Sequence, residues 1–565
     1  MRRIGSAIRR FYLAKGGPMA PTTTGSVDSG RHLRRDVGFW GLMFVSLGSI
    51  IGSGWLLGAL TAATLAGPAS LLSWILAAVM LALLALVHAE LGAAYPIAGG
   101  TARFPSFAFG PLAGFTAGWM AWVQAVAIAP IEVEATLSYC DHISWVKNNI
   151  TLLHTDGTLT GAGLAIATVF MLLFTIINIF GVKLLAESNS ITVLWKTAIP
   201  LLTVVVLLLL TFHASNFTAG GGFMPFGAHG IFAALPAGVV FALQGFEQAI
   251  QMAGEARKPQ QDVSRAVITA TAIGTVVYIL LEIAFIGALN PANLVHGWAN
   301  PVGKGDFGPY ATLAIGAGAS WLAVLLYADA VISPAGTGLV YTATSSRLSY
   351  ALGRERSVPS PVAQVSRKGV PVVSILIAFV VGEIAFLPFP SWQSLVGLVT
   401  SATAIMYAFG PIALRALRMR DPERVRPYRL PAHQVLAPIA FIAANLIIYW
   451  SSFQAEWKLG LAIVLGLVIF TVTRVTRPSA ERTHLNWAAS MWVWPWLIGM
   501  IVIGALGRYG GNKVLPEWVD ILTVAAFSLA VYFFAVRIAV SSEEVNAAVA
   551  AEEAEIAAEP ELNIA

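Results

Sequence analysis

Apolar residues run along this chain in long blocks, each followed by a short polar connector. A soluble helix shows an apolar stripe with a polar face. These blocks are apolar on all sides and near the roughly 20 residues that cross a bilayer. They predict helices at 39–66, 69–91, 111–140, 161–181, 190–211, 230–253, 265–289, 312–346, 371–388, 392–416, 432–452, 458–474, 490–507 and 518–538, about fourteen spans. The connector at 290–310 is polar and rich in Gly and Pro.

Composition strengthens this reading. The 565 residues are 57% hydrophobic and 11% charged, whereas soluble chains carry about 25% charged residues. A soluble surface cannot be built from so few polar groups. The basic residues also have a side. With the N-terminus inside, Lys147, Lys304, Lys458, Arg508 and Lys513 fall outside, Lys196 falls within a span, and the remainder of the 34 Lys and Arg lie inside. That asymmetry is the positive-inside pattern. The six arginines of 415–429 belong to it and can also touch anionic lipid. The net charge of +5 is therefore no nucleic-acid signal. A single cysteine, Cys140, leaves no disulfide framework and no multi-cysteine metal site.

Residues 1–36 are basic, lack an apolar signal core and are expected to form a cytoplasmic tail. An even number of spans returns the acidic, Ala-rich segment 541–565 to the cytoplasm, as a disordered segment or a short solvated helix with no assigned function.

Two spans are interrupted. The first holds Gly48, Gly52 and Gly54, and each Gly costs a helix about 0.8–1.0 kcal/mol relative to Ala. An unwound segment leaves N–H and C=O groups that lipid cannot satisfy. Free N–H groups suit a carboxylate and free carbonyls an ammonium. Close helix packing through small residues is the other explanation. The sixth span has a similar interruption at Gln244, Gly245, Phe246 and Glu247. It lies five spans after the first, and breaks in matching positions point to a transporter site between inverted repeats.

Ionisable residues inside spans are costly, about 2.5–3.5 kcal/mol each on insertion scales. Lys196 lies about one and a half turns from the inner end of the fifth span. It either snorkels to the interface or has a buried task. Glu132 and Glu134 on the third span are two residues apart and cannot share a face. Asp329 and Ser333 are four apart and do. Any of these carboxylates can carry a proton or pair with Lys196. Glu282 and Glu383 lie nearer span ends and are read as structural, and His88 as a helix-end histidine. Glu90 is placed to pair with loop arginines or to cap and pack.

Several motifs then resemble a known family. These are 48–54 in the first span, the run 89–100 after the second, Gly245-Phe246-Glu247 with Gly254-Glu255, and 344–354 followed by Gly369-Val370-Pro371. The chain resembles the amino acid–polyamine–organocation permeases over about residues 36–475. Ile131-Glu132-Val133, the run 329–334 and the run 387–392 resemble the bacterial aspartate–proton symporter group in particular. The resemblance implies an all-α polytopic membrane protein with the leucine-transporter-type fold, a 5+5 inverted repeat. It implies a substrate carboxylate on the backbone near Gly52, Ser53 and Gly54, and an ammonium on carbonyls around Ile50 and the break at Gln244 and Gly245. Phe241 falls where the family has an aromatic gate. Lys196 stands where proton-coupled relatives carry a lysine, and Glu132 matches the family's acid on the third helix. Proton coupling is expected from Lys196 first, then Glu132 and Asp329 with Ser333, then Glu247.

The expected organisation is a tail (1–36), a ten-helix transport core (37–416), four additional helices (417–540) and an acidic tail (541–565). The expected function is secondary active transport of an amino acid, by proton symport, with aspartate and glutamate implied as substrates. Amino acid or cationic amine exchange is the alternative. Ser53, Gln124 and Gln244 are the side-chain donors on offer, and the surplus of acids leaves neutral or cationic substrates open. No phosphate loop, nucleophile elbow or metal-ligand cluster appears, so no catalytic residue, metal or cofactor is expected. Expected partners are the amino acid, the proton and the bilayer, with no nucleic acid, in a monomer or weak homo-oligomer of the cell membrane with both termini cytoplasmic.

Overall fold

The computed structural model describes residues 37–558, apart from 98, 181, 304–307, 367–369, 388–390, 480, 481 and 483. The basic N-terminal tail, the motif residues 388–390 and Gly369 lie outside the described residues. Among the described residues the chain is helical, with two isolated bridges in place of strands. Among the described residues, eleven helices are long and apolar enough to cross a membrane. Three shorter apolar helices, Phe39–Ile50, Gly227–Leu243 and Val372–Ala385, lie where spans 1, 6 and 9 were expected.

The first span is two half-helices, α1 (Phe39–Ile50) and α2 (Ser53–Ala66), separated at Ile51 and Gly52. A turn joins α2 to α3 (Ser70–Ala94). A short helix, α4 (Gly100–Phe109), leads into α5 (Pro111–Cys140). Then come α6 (Gly161–Phe180) and α7 (Val182–Leu210). The sixth span is again divided, into α8 (Gly227–Leu243) and the single-turn α9 (Glu247–Gln251). It is followed by α10 (Pro259–Ala288), α11 (Pro309–Gly316), α12 (Ser320–Arg354), α13 (Val372–Ala385) and α14 (Trp392–Arg420). The C-terminal part holds α15 (His433–Trp450), α16 (Phe453–Thr476), α17 (Val493–Leu506), α18 (Glu517–Arg537) and α19 (Ser542–Ala558).

One expectation needs correction. The span placed at 312–346 is two helices, because Gly318 takes φ +79° and turns the chain between α11 and α12. The acidic tail is the short helix that was one expectation, α19, largely exposed but docked on the body through the buried Val545 and Val549.

Burial separates the core from the lipid-facing shell. In α5 and α14, 94% and 89% of the apolar window is enclosed, against 33% in α6 and 28% in α16. Leu209 and Phe180 face outward, which lipid tolerates without cost. The two helix breaks meet in the centre. Gly245 adopts φ +124°, and a Cβ there would stand 2.9 Å from the backbone N of Ile50. Only glycine allows both that conformation and that approach. On the other side of the first break, a Cβ on Gly54 would meet Ala242 Cα at 2.7 Å.

Candidate functional site

Unwinding at Ile51 and Gly52 frees a set of backbone groups, and four of them are held by side chains. At the end of α1, the Gly48 carbonyl accepts from Lys196 Nζ at 2.6 Å and from Thr337 Oγ1 at 3.3 Å. The Ile50 carbonyl accepts from the Tyr278 hydroxyl at 2.8 Å. The Ile51 carbonyl lies 3.5 Å from Ser333 Oγ, which donates to it. At the start of α2, the Ser53 N–H donates to Glu132 Oε2 at 2.8 Å.

Lys196 is 1% exposed and donates a second hydrogen bond to Thr337 Oγ1 at 2.6 Å. Snorkelling is therefore excluded: the ammonium points inward and ties α7 to α1 and α12. Both of these partners are uncharged oxygens. Glu132 approaches from the other side of the break. A Cβ on Gly52 would stand 2.7 Å from Glu132 Oε1 and 2.9 Å from Thr337 Oγ1. Gly52 thus lies between the carboxylate and the hydroxyl that holds the lysine.

Asp329 Oδ2 accepts from Trp55 Nε1 at 3.1 Å, joining α12 to α2. Asp329 and Ser333 do face the first break. Glu247 sits within a network: its oxygens accept from Gly245 N at 3.0 Å, Tyr341 at 3.1 Å and the Tyr407 hydroxyl. Glu134, on the opposite side of α5, is 1% exposed, and neither of its oxygens has a hydrogen-bond partner. Glu282 accepts from Ser70 and from Trp74 Nε1, and Glu383 from Thr168. His88 is bonded to the Leu84 carbonyl and packed against Tyr407.

Between the breaks lies a cavity of about 10 Å³ for water-sized spheres, enough for about one water molecule. Ile50, Gly52, Gly54, Glu132, Phe241 and Gln244 line it, with Ser49, Ile128, Thr337 and Tyr341. Phe241 packs edge-on against Trp392, with centroids 5.9 Å apart, and Trp392 Nε1 donates to Ser53 Oγ at 3.0 Å. On the cytoplasmic side predicted from the sequence, Arg418 forms a two-pronged pair with Glu90 at 2.7 and 2.5 Å, and Leu430 N donates to the same carboxylate. Tyr95 donates to Asp421, and Arg424 lies over its ring. All of the residues that line the cavity are buried, so this is an occluded conformation.

Sequence reasoning missed Thr337, Tyr341, Tyr278 and Trp392. Two of them left a signal. Asp329, Ser333, Thr337 and Tyr341 form an i, i+4 series, one continuous face of α12. Trp392 ends the run 387–392, which the sequence singled out for its resemblance and not for the site, and Tyr278 comes from another element and is found only in space.

Two interrupted helices enclosing a buried polar cavity, in an all-helical protein with apolar flanks, define a membrane transporter of the broken-helix type. The chain belongs to the amino acid permease family, whose profile matches residues 37–470. It is an integral, multi-pass membrane transporter of amino acids, not an enzyme. It is 37% identical to the glutamate/serine transporter AimA of Bacillus subtilis (strain 168), over 90% of this chain and 94% of that one. It is 32% identical to the aspartate-proton symporter of the same organism, over 89% and 96%. Similarity at 27% extends to a methylthioribose transporter, over 80% and 95%. A nucleobase-cation-symport-1 family transporter solved in a closed conformation superposes with a TM-score of 0.47 at 14% identity, covering 80% of this chain and 96% of that one.

Proposed function

We propose that this protein imports an amino acid together with a proton across the cell membrane. The observation that carries the reading is the placement of Lys196. Its ammonium holds the Gly48 carbonyl at the end of α1 and the Thr337 hydroxyl, while Glu132 holds the first N–H of α2. Losing or gaining a proton at either side chain changes what grips the two halves of the broken helix. Proton movement and helix movement then share the same bonds, as coupling requires.

In this reading the chain crosses fourteen times, with both termini in the cytoplasm. Residues 37–416 form the transport core and 417–540 add four helices. The substrate's α-carboxylate docks at Gly52, Ser53 and Gly54 and its ammonium at the Ile50 carbonyl and the break at Gly245. Phe241 closes over it. The ionisable set is Lys196, Glu132, Asp329 with Ser333, and Glu247. Aspartate, glutamate and serine are the first substrates to test, since the relatives named above carry them.

The test is uptake of a labelled amino acid panel into liposomes, with and without an inward proton gradient. Accumulation against the substrate gradient only when protons flow inward is expected. Uptake indifferent to the gradient but requiring internal substrate would establish exchange instead.

A further inference from the structure

We propose that Gln244 reads the side chain of the transported amino acid, selecting substrates whose side chain ends in a hydrogen-bonding oxygen. The proposal rests on the transport reading above and specifies its substrate class.

Gln244 ends α8, and the chain then departs into the second break. Its side chain is 2% exposed, and neither its amide oxygen nor its amide nitrogen has a hydrogen-bond partner. Buried amides are almost always paired, because leaving water without a replacement partner is costly. Its neighbour in the same break shows the contrast: both oxygens of Glu247 are held by protein groups. Of the two polar side chains in the break, only Gln244 is left open, and it lines the cavity.

The rest of the lining defines how it would be used. Ile50, Gly52 and Gly54 line the cavity together with Ile128, Phe241 and Gln244. A zwitterion docked on the backbone of the first break leaves its side chain to the other lining residues. Ile128 and Phe241 offer no hydrogen bond. Gln124, one turn before Ile128 on α5, is also buried, and its amide nitrogen is unpartnered. Glu132 is the only formally charged side chain on the lining, and Lys196 is held behind Thr337. Recognition of the side chain therefore falls to a neutral amide. An amide donates to a carboxylate, and both donates to and accepts from a carboxamide or hydroxyl. It offers nothing to an aliphatic chain, which would leave it unpaired. Serine, asparagine, aspartate and glutamate satisfy this site; alanine, valine and leucine do not.

The decisive comparison is serine against alanine, which differ by one hydroxyl. Gradient-driven uptake of serine, glutamate, alanine and leucine is measured with the full-length protein, wild type and Gln244→Leu, in the same liposomes. For wild type, kcat/KM for serine is expected to exceed that for alanine at least about tenfold. In Gln244→Leu that ratio should fall to near one, because uptake of serine falls more than uptake of alanine. An unchanged serine-to-alanine ratio in the variant overturns the proposal while leaving transport intact. Absence of uptake of every amino acid by the wild type overturns the transport reading and this one together. If the variant is inactive towards all four, thermal stabilisation of the purified wild type decides. Stabilisation by serine and glutamate but not by alanine supports the proposal, and equal stabilisation by all overturns it.

Discussion

Glu132 Oε2 accepts the backbone N–H of Ser53, the first residue of α2, at 2.8 Å. A half-helix N-terminus attracts anions, and in the occluded protein this one already holds an internal carboxylate. The end of α1 is held in the same way, since the Tyr278 hydroxyl donates to the Ile50 carbonyl. In the docking proposed above, these side chains stand where the two charged groups of an amino acid would bind.

On the proposed docking, an incoming carboxylate would displace Glu132 from the Ser53 N–H, and the displaced carboxylate would then need a proton or another partner. Glu132→Gln keeps an oxygen acceptor for Ser53 but removes the charge. The variant is expected to exchange internal for external substrate at close to the wild-type rate, while gradient-driven accumulation falls at least about tenfold. Both are measured in one liposome preparation, and undiminished accumulation would remove Glu132 from the coupling path.

Lys196→Ala deletes the ammonium that grips Gly48 and Thr337. Hydrogen bonds to charged groups are worth about 1.5–3 kcal/mol each, so the α1 end loses its strongest tether. Net accumulation should vanish while exchange persists. Thr337→Val removes only one of the two lysine bonds and should give an intermediate loss. If Lys196→Ala accumulates substrate like wild type, the lysine has no coupling role.

Much of this was legible before the fold was known, and the failures have physical causes. The third span was placed at 111–140 and is α5, because Gly110 and Pro111 mark its start. The division between α11 and α12 was missed because both sides of Gly318 are apolar, and hydropathy averages over a turn. Lys196, Glu132 and Asp329 stood out because a charge in a span is expensive. Thr337 and Tyr341 share a face with Asp329 but are neutral, so the same criterion passed over them. Tyr278 reaches the break from a helix remote in sequence, where no spacing rule applies, and Trp392 was seen only as part of the run 387–392, with nothing in its spacing to tie it to the break. The docking of α19 was missed because its pattern is dominated by Ala and Glu, and its partners are arginines elsewhere in the chain.

Gly52→Ala tests how tightly the break is packed. The added methyl would stand 2.7 Å from Glu132 Oε1 and 2.9 Å from Thr337 Oγ1, closer than real Cβ contacts. Glu132 would be pushed from Ser53, and the occluded state destabilised by about 1–3 kcal/mol. Uptake should fall at least about fivefold. Gly316→Ala, whose Cβ would meet nothing within 4 Å, is the control and should transport normally. Equal behaviour of the two variants would show that the break relaxes freely.

The tail helix offers a prediction with an unexpected sign. Arg103 on α4 pairs with Glu355 at 3.0 Å and with Glu552 of α19 at 3.1 Å, and Arg424 pairs with Glu553 at 2.8 Å. Partly exposed pairs of this kind contribute about 0–1 kcal/mol each and weaken with salt. Charge attraction alone would predict firmer docking as carboxylates ionise. Burial, however, pushes the Glu552 carboxyl above its ordinary value, outweighing the opposing pull of Arg103. A carboxyl whose value is higher when docked takes up a proton on docking. Its contribution is complete below the ordinary carboxylate range, about pH 4.3, and is lost as pH rises through the docked value. Limited proteolysis after Ser541 reads the equilibrium. Arg103→Ala and raised salt should each speed cleavage several-fold, since each removes attraction. Acidification from neutrality should slow cleavage in wild type, measured against a model peptide to correct for protease activity. Faster cleavage on acidification would mean that ion pairing with Arg103, not burial, governs Glu552.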